Sequence, residues 1–172
     1  MYNRIAIVGG PGTGKTTLSN ELSKILDIEA IHIDGIHHLP NWQERDRSER
    51  DQIILDCIKK DKWIIDGTYR DTLKQRFERA DLIIFLDYSS LAHAKGILQR
   101  YAKGKNKEKP EIPGCKERMT FQFFTYSLKY NKKKRHFITD ELKNVNPEKV
   151  LIFKRRKDLN KWLKDVSMRG EI

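Results

Sequence analysis

Residues 9–16 read Gly9-Gly10-Pro11-Gly12-Thr13-Gly14-Lys15-Thr16. An apolar run, Ile5-Ala6-Ile7-Val8, comes before them, and Leu18, Leu22 and Ile25 follow at helical spacing. The stretch matches G-x-x-x-x-G-K-[ST] without exception, in the strand, loop and helix context that this pattern requires. No three glycines stand in G-x-G-x-x-G register, which excludes a dinucleotide fingerprint. The stretch therefore predicts a phosphate-binding loop.

The chemistry of such a loop explains its composition. Backbone N–H groups close around phosphate oxygens, which glycines allow, while the following helix points its positive end at the anion. Lys15 is predicted to reach the β- and γ-phosphates, and Thr16 to place its hydroxyl on Mg²⁺. We therefore expect ATP and Mg²⁺ as cofactors. The predicted nucleotide-binding residues are Gly9, Gly10, Pro11, Gly12, Thr13, Gly14, Lys15, Thr16 and Thr17.

Length and charge narrow the class of protein. A chain of 172 residues suits one α/β domain, so residues 1–172 are predicted to form a single domain. Lys and Arg number 35 against 24 Asp and Glu, for a net charge of +11. Residues 100–135 hold 12 basic and 3 acidic residues, so most of the excess lies in one segment. The segment calls for an anionic partner: nucleic acid, a membrane surface or a phosphorylated small molecule.

The cysteines and apolar runs bear on the compartment. Cys57 and Cys115 form neither a metal-ligand spacing nor a disulfide framework. The N-terminus has no signal pattern, and no apolar run approaches the roughly 18 residues of a membrane helix. We expect a soluble protein of the reducing cytoplasm, without a membrane partner.

The rest of the chain alternates apolar runs with helical patterns. After the strand before the phosphate loop, further strands are predicted at 30–33, 63–65, 82–86 and 150–153. Parallel strands need crossovers, and the helices supply them. The predicted fold is an α/β P-loop NTPase fold, with a five-stranded parallel sheet covered by helices on both faces. Residues 34–61 are assigned to an acceptor-side region and residues 100–136 to an inserted basic lid.

Several local features are predicted within this framework. Ser48 is expected to cap a helix running to about Lys60, and Asp71 to cap a short one. Residues 36–47 are interpreted as a loop, and the helix that restarts with Phe121, Phe124 and Leu128 is expected to continue through Leu142. The lid over residues 103–118 is predicted to be mobile when empty, because its like charges repel.

Two aspartates end predicted strands, Asp34 after the second and Asp66 after the third. Open α/β sheets bind ligands outside the carboxyl ends of their strands, the edge where the phosphate loop also lies. Both carboxylates are therefore expected at the site. Asp34 could serve an acceptor hydroxyl, although a turn-forming Asp before Gly35 is the alternative.

The chain resembles two related groups of proteins. The phosphate loop, the strand end Ile64-Ile65-Asp66-Gly67 and the basic lid resemble adenylate-kinase-like nucleoside-phosphate kinases. The run Trp63-Ile64-Ile65-Asp66-Gly67-x-Tyr69, the strand of residues 80–87 and Gly114-Cys115-x-Glu117 resemble bacterial DNA topology modulation proteins. This resemblance covers nearly the whole chain. The family name implies an effect on DNA topology, whereas the residues themselves imply a small phosphotransferase.

The kinase resemblance implies roles for particular residues. It places Asp66 as a support of Mg²⁺ through water, and Arg70 as the grip on an acceptor phosphate, although Tyr69 replaces the usual preceding proline. Arg100 at the base of the lid and Arg135 after it would cover the transferring phosphoryl group. Arg135 could instead be a solvated surface residue among lysines.

The resulting candidate site has three parts. The predicted catalytic residues are Lys15, Asp34, Arg100 and Arg135; the acceptor-binding residues are Asp34, Gly67 and Arg70; the metal-site residues are Thr16 and, through water, Asp66. Lys105 and Lys107 stand where relatives often carry lid arginines, so they supply charge without a bidentate fork. A metal cluster of His32, His37 and His38 is not favoured. Trp42 could stack on a base or belong to the core.

These patterns favour an ATP-dependent phosphotransferase acting on a nucleoside, a nucleotide or a similar small acceptor. One alternative is an ATP-binding regulator that holds DNA through the lid and residues 132–135. Another is a polynucleotide 5′-end kinase, which would combine both sets of features. No helix-turn-helix or zinc-finger pattern is present, so the small-acceptor kinase ranks first.

Overall fold

The computed structural model describes residues 2–105 and 107–172. Met1, the first residue of the predicted domain, and Asn106, inside the predicted lid, lie outside the described residues. The strands are β1 (Arg4–Gly9), β2 (Ala30–His32), β3 (His38–Leu39), β4 (Gln43–Glu44), β5 (Trp63–Asp66), β6 (Leu82–Leu86), β7 (Glu108–Lys109), β8 (Ile112–Lys116) and β9 (Val150–Phe153). The helices are α1 (Lys15–Leu26), α2 (Ile33–His37), α3 (Arg47–Cys57), α4 (Leu73–Arg79), α5 (Ser90–Gly104), α6 (Phe121–Lys133), α7 (Arg135–Leu142) and α8 (Arg156–Arg169).

The central sheet has five parallel strands in the order β2-β5-β1-β6-β9. β1 lies in the middle, with Ile5 opposite both Ile64 of β5 and Leu82 of β6. The phosphate loop therefore leaves the most enclosed strand of the sheet. This arrangement confirms the predicted α/β class and the five-stranded parallel sheet.

Helices cover both faces because alternate side chains of each strand point to opposite sides. Ile5 and Ile7 of β1 pack in one core cluster with residues of α1 and α8, whereas Ala6 and Val8 pack in a second cluster with residues of α3, α4 and α7. A strand buried on both sides must be apolar throughout, which explains why the strands read as continuous apolar runs.

The second strand is shorter than predicted, and the segment after it is not an open turn. β2 ends at His32, and Ile33–His37 form the short helix α2, with Asp34 in its first turn. The segment predicted as a loop at 36–47 contains the antiparallel β3–β4 pair, joined through a 3₁₀ turn at Pro40–Trp42. The strand pair shows that residues 38–44 are not the open loop that was predicted.

Two predicted helix caps are wrong. The N-cap of α3 is Asp46, whose carboxylate accepts the backbone N–H groups of Ser48 and Glu49 at 2.8 and 3.1 Å, and α3 ends at Cys57. Asp71 caps no helix, because its carboxylate instead accepts from the guanidinium groups of Arg47 and Arg50. Such charge-assisted hydrogen bonds are stronger than an ordinary cap, which explains the preference.

The predicted continuous helix from Phe121 to Leu142 is also wrong, since it divides at Lys134. There φ is −128° and ψ is −23°, and the chain restarts as α7. The break separates α6, which packs on α5, from α7, which packs on α4.

The segment between α5 and α6 forms a small antiparallel hairpin of β7 and β8, here called the insertion hairpin (residues 108–116). It contacts the acceptor-side region directly. The Trp42 amide and the thiol of Cys115 lie 3.2 Å apart, and the Trp42 indole donates to the Lys116 carbonyl at 3.2 Å. No helix formed by residues 2–105 or 107–172 has the length and apolar character needed to cross a membrane.

Candidate active site

Part of the shape of the phosphate loop comes from contacts among its own residues. Gly14, the N-cap of α1, has a φ of 93°, a left-handed conformation that favours glycine. The Thr13 hydroxyl donates to the Gly10 carbonyl at 2.8 Å, and the Leu18 amide donates to the Gly14 carbonyl at 2.9 Å. The first amides of α1 are thereby directed at the loop, where a helix N-terminus favours an anion.

Lys15 crosses the mouth of this loop. Its Nζ donates to the Gly10 carbonyl at 2.9 Å. Burial lowers the pKa of Lys15, while the negative charges of Asp34 and Asp66 oppose that change. Lys15 and Asp34 both line the cavity described below, whereas Asp66 is not among its lining residues.

Asp66 lies next to Thr16 and forms a hydrogen bond with His32. The Thr16 hydroxyl is 3.5 Å from Asp66 Oδ1, and His32 Nδ1 is 2.5 Å from Asp66 Oδ2. The other ring nitrogen of His32 is 3.1 Å from Asn20 Oδ1. Burial by itself would lower the pKa of His32, but the hydrogen bond and the charge of Asp66 outweigh it, so that the pKa is raised.

The donor atoms of this group fit Mg²⁺. Thr16 and Asp66 offer a hydroxyl and a carboxylate, and Mg²⁺ prefers oxygen ligands with few from the protein and others from substrate phosphates. Within the described ranges, no group of three or more His, Cys, Asp or Glu side chains is arranged to hold a metal ion. His37 and His38 instead pack on each other, on Tyr69 and on Trp42.

A cavity of about 770 Å³ opens beside the phosphate loop. It brings together Lys15, Thr16, Asp34, Gly67 and Arg100, which the sequence predicted as site residues. Among the lining residues that the sequence did not predict for the site are Tyr69, Lys109, Glu111, Glu117, Phe123, Tyr126, Tyr130 and Arg156. Lys109 and Glu111 belong to the insertion hairpin, and the three residues from Phe123 to Tyr130 belong to α6.

Tyr69 fixes Asp34. Its hydroxyl donates to Asp34 Oδ1 at 3.0 Å. Burial, followed by the charge of Asp34, raises the pKa of Tyr69, so the phenol stays protonated and remains a donor. Tyr69 stands where the kinase resemblance expects a proline, and its contact with Asp34 gives this substitution a structural role.

Arg100 lines the cavity with its charge already paired. Its Nε donates to Glu117 Oε1 at 3.1 Å, and its guanidinium lies 5.7 Å from the ring centre of Phe123. Lys109 lies 3.9 Å from the other oxygen of Glu117. Glu117 is buried, so this one carboxylate lies beside two cations at the cavity wall.

The other two predicted arginines have different surroundings. The Arg70 guanidinium lies 4.3 Å from the ring centre of Phe137 on α7. Arg135 forms two hydrogen bonds with Asp87, at 2.6 and 2.7 Å, and this pairing raises the pKa of Arg135. Neither arginine is among the residues that line the cavity.

Arg156 is a cavity residue that the sequence analysis missed. It begins α8, donates from Nη2 to the Gly12 carbonyl at 3.0 Å, and lies over the ring of Tyr88 at 5.9 Å. The signal was available, because Arg156 closely follows the carboxyl end of β9, and that edge of the sheet binds ligands.

Helix α5 presses against the phosphate loop from the side. The buried ring of His93 packs on Gly10, where an added Cβ would lie 2.3 Å from the imidazole. A Cβ on Gly96 would lie 2.0 Å from the Gly12 carbonyl oxygen. The loop and the helix that leads to Arg100 are therefore in direct backbone contact.

Three solved structures that share the fold are two shikimate kinases and a gluconokinase. Shikimate kinase from Acinetobacter baumannii, in complex with shikimate, has a TM-score of 0.60 and 14% identity, covering 99% of this chain and 95% of that chain. Shikimate kinase from Bacteroides thetaiotaomicron has a TM-score of 0.61 and 15% identity over 100% of both chains. A gluconokinase from Sinorhizobium meliloti 1021 has a TM-score of 0.52 and 13% identity, covering 98% and 90%. The chain has the P-loop NTPase fold of these kinases.

Sequence comparison gives matches that cover a smaller part of the chain. The GTPase Der of Azotobacter vinelandii is 28% identical over 111 residues, which are 62% of this chain and 23% of that protein. The GTPase Der of Pseudomonas aeruginosa is 29% identical over 111 residues, or 62% and 22%. The match thus spans less than a quarter of the length of these curated relatives. No family model matches the chain.

Proposed function

We propose that the chain is an ATP-dependent phosphotransferase whose acceptor is a small molecule with a free hydroxyl group. The proposal depends on one observation: Lys15 of the phosphate loop and Asp34 line the same cavity. A carboxylate fixed by Tyr69 at 3.0 Å is suited to orient a hydroxyl group and accept its proton. The fold shared with shikimate kinase and gluconokinase supports this class of reaction.

The residues divide the reaction between them. The loop amides and Lys15 bind the β- and γ-phosphates, while Arg100 adds positive charge beside the transferring group. Asp34 accepts the proton of the acceptor hydroxyl as its oxygen bonds to the γ-phosphorus, and the bond from that phosphorus to the β–γ bridging oxygen breaks. ADP leaves, and the proton passes from Asp34 to solvent. Mg²⁺, held by Thr16 and through water by Asp66, would neutralise phosphate charge.

The distinction between Asp34 and Arg70 tests the proposal. A hydroxyl acceptor requires Asp34, whereas a nucleotide acceptor of the adenylate-kinase kind would depend on Arg70. The Arg70 guanidinium packs on Phe137 at 4.3 Å, which supports giving it a lesser role. Arg135 is paired with Asp87, which directly follows β6. We propose that Arg135 holds the segment that follows the lid in the sequence to the end of this strand.

The experiment measures acceptor-dependent ADP release from ATP with nucleosides, nucleoside monophosphates, shikimate, gluconate and oligonucleotides. Asp34→Asn should reduce turnover by about 10²–10⁴-fold, the usual contribution of a general base, while ATP binding stays unchanged. Asp27→Asn is the matched control, because Asp27 is exposed and has a φ of 53° that Asn tolerates. Loss of turnover in Arg70→Ala alone would show a nucleotide kinase instead.

The same panel decides between the proposal and its alternatives. Transfer to oligonucleotides alone would indicate a polynucleotide 5′-end kinase. DNA binding that falls steeply with salt, without any transfer, would favour the regulator and the resemblance to DNA topology modulation proteins. The proposal keeps the reducing cytoplasm as its compartment, because Cys57 and Cys115 are both free thiols.

A further inference from the structure

Helix α6 turns an aromatic face toward the cavity. Phe123, Tyr126 and Tyr130, spaced three and four residues apart, all line it. Phe121, in contrast, is 82% exposed and is not a lining residue, although it lies on the same helix. We call Phe123, Tyr126 and Tyr130 the aromatic wall.

The aromatic wall is held in place at one end and open at the other. The Phe123 and Tyr126 rings are stacked with centroids 6.4 Å apart, and Tyr126 meets Tyr130 edge-on at 6.1 Å. Tyr130 is buried and packs edge-on against His93, whereas Tyr126 remains 41% exposed. A large, partly exposed ring on a fixed support offers a flat apolar surface to a ligand.

The wall and Asp34 line the same cavity. Burial, followed by the negative charge of Asp34, raises the pKa of Tyr126. Tyr69, which holds Asp34, is itself fixed by the ring of His37 at 5.2 Å and the guanidinium of Arg50 at 4.9 Å. Asp34, Tyr69 and the wall thus surround one compartment.

The charges around this compartment disfavour an acceptor that already carries phosphate. Among the described residues, the lining from α2 and the β5–α4 connection consists of Asp34, Gly67, Thr68 and Tyr69, with one carboxylate and no cation. The cations that line the cavity lie instead on the phosphate loop, on α5, in or just before the insertion hairpin, and on α8. They are Lys15, Arg100, Lys103, Lys107, Lys109 and Arg156. Arg100 and Lys109 are already near Glu117, and Arg156 bonds to Gly12.

We infer that the acceptor is a neutral molecule with a flat ring and a free hydroxyl group, of which a nucleoside is the simplest case. The ring stacks on the aromatic wall while the hydroxyl group faces Asp34. This inference depends on the proposed function and narrows its acceptor. Aromatic stacking tolerates different bases, because every base has a π face, so we expect weak selection among nucleosides.

The test compares Tyr126→Leu with Phe121→Leu. Both changes replace an aromatic ring on α6 by an apolar side chain, but only Tyr126 lines the cavity. ADP release is measured with adenosine, guanosine, cytidine and thymidine, their 5′-monophosphates, and shikimate as a non-aromatic ring. Tyr126→Leu should raise the KM for nucleosides about tenfold or more, with the Kd for ATP unchanged. Phe121→Leu should behave like the wild-type protein. Nucleosides should be used at least tenfold better than their monophosphates.

Each opposite result overturns the inference. A raised Kd for ATP with an unchanged nucleoside KM in Tyr126→Leu would mean that the wall binds the base of ATP. Preference for monophosphates, or for shikimate with no effect of Tyr126→Leu, would mean that the compartment does not select a neutral flat ring. Phe123→Leu provides a second variant of the wall and should give the same raised KM.

Failure of the proposed function can be separated from failure of this inference. If the protein binds ATP but transfers phosphate to no member of the panel, the phosphotransferase proposal fails. Calorimetry with the same four nucleosides, on protein loaded with a non-hydrolysable ATP analogue, then tests the wall directly. Nucleoside binding that is lost in Tyr126→Leu supports the inference, and the absence of nucleoside binding overturns it.

Discussion

The two ends of the cavity are built in different ways. At the phosphate-loop end, Lys15 and Thr13 donate to the Gly10 carbonyl within one short stretch of sequence, and α5 and Arg156 add contacts from distant segments. At the proposed acceptor end, Asp34, Tyr69, Glu117 and Tyr126 come from four separate segments of the chain. A site for a common phosphate group can be encoded locally, whereas an acceptor site must be assembled by the tertiary fold.

The largest expected effect comes from the phosphate-loop end. Lys15→Ala should reduce phosphoryl transfer by about 10³-fold or more, because the side chain serves the ligand phosphates. Stability should change little, since the Thr13 and Leu18 hydrogen bonds that shape the loop remain. ADP release and thermal unfolding measure the two effects. Lys24→Ala, on the exposed side of the same helix, is the control. Full activity in Lys15→Ala would contradict the proposal that Lys15 takes part in phosphoryl transfer.

The next prediction tests whether the phosphate loop is really self-contained. Gly96→Ala would place a Cβ 2.0 Å from the Gly12 carbonyl oxygen and so force α5 and the loop apart. We expect a loss of about 1–3 kcal/mol in the free energy of unfolding and a weaker affinity for ATP, by tenfold or more. Alanine otherwise favours a helix over glycine, so any loss reports this contact.

Gly104→Ala is the control for this change. Gly104 lies on the same helix, and its Cβ would approach only the Glu117 side chain, at 3.4 Å. We expect ATP affinity close to that of the wild-type protein. Unchanged ATP affinity and stability in Gly96→Ala would show that α5 does not support the loop. The contacts within the loop would then be sufficient to hold its shape.

The same difference explains what the sequence could predict. The sheet and the phosphate loop were predictable because apolar runs and the G-x-x-x-x-G-K-[ST] pattern are local signals. The aromatic wall was not predictable in this way. Phe121, Phe124 and Leu128 have helical spacing, but this spacing does not indicate which face of α6 meets the cavity. Asp71 was misassigned as a cap because its pairing with Arg47 and Arg50 joins distant parts of the chain. Ser48 was misassigned because Asp46, two residues earlier, is an equally suitable cap residue and accepts the Ser48 and Glu49 amides.

A smaller effect is expected at the acceptor end. Gly35→Ala would place a Cβ 2.2 Å from the Glu111 carbonyl oxygen, where α2 meets the insertion. The two segments must then separate, which moves Asp34. We expect the acceptor KM to rise about tenfold while the Kd for ATP stays the same, the reverse of the pattern in Gly96→Ala.

Hydrogen exchange gives a second measurement on Gly35→Ala. The predicted mobility of the empty lid requires lower protection of residues 103–118 without ligands than with ATP and acceptor. The substitution should lower that protection further, because the insertion loses its contact with α2. A change in ATP affinity as large as that in acceptor KM would contradict the separation of the two ends.

The smallest expected effect concerns pH and the loop's support from α5. His93 is buried against Gly10, and burial lowers the pKa of His93, with Lys15 acting in the same direction and Ser127 and Asp87 opposing it. The unfolded chain, with an ordinary histidine pKa of about 6.5, therefore binds this proton first as the pH falls. The stability from a neutral His93 is fully present above that value and is lost below it, at up to about 1.4 kcal/mol per pH unit.

The measurement is the free energy of unfolding at pH 7.5 and at pH 5.5 in the wild type, in His93→Gln and in His136→Gln. His93→Gln should be less stable at pH 7.5, because the ring packing on Gly10 and Tyr130 is lost, but its further loss of stability on acidification should be smaller than that of the wild type. His136 is exposed on α7, so His136→Gln should lose as much free energy of unfolding between pH 7.5 and pH 5.5 as the wild type does. The opposite contribution of His32 is common to all three proteins and cancels in the comparison. Equal acid losses in the wild type and His93→Gln would show that the imidazole is not held neutral against the phosphate loop, and that α5 supports the loop by shape alone.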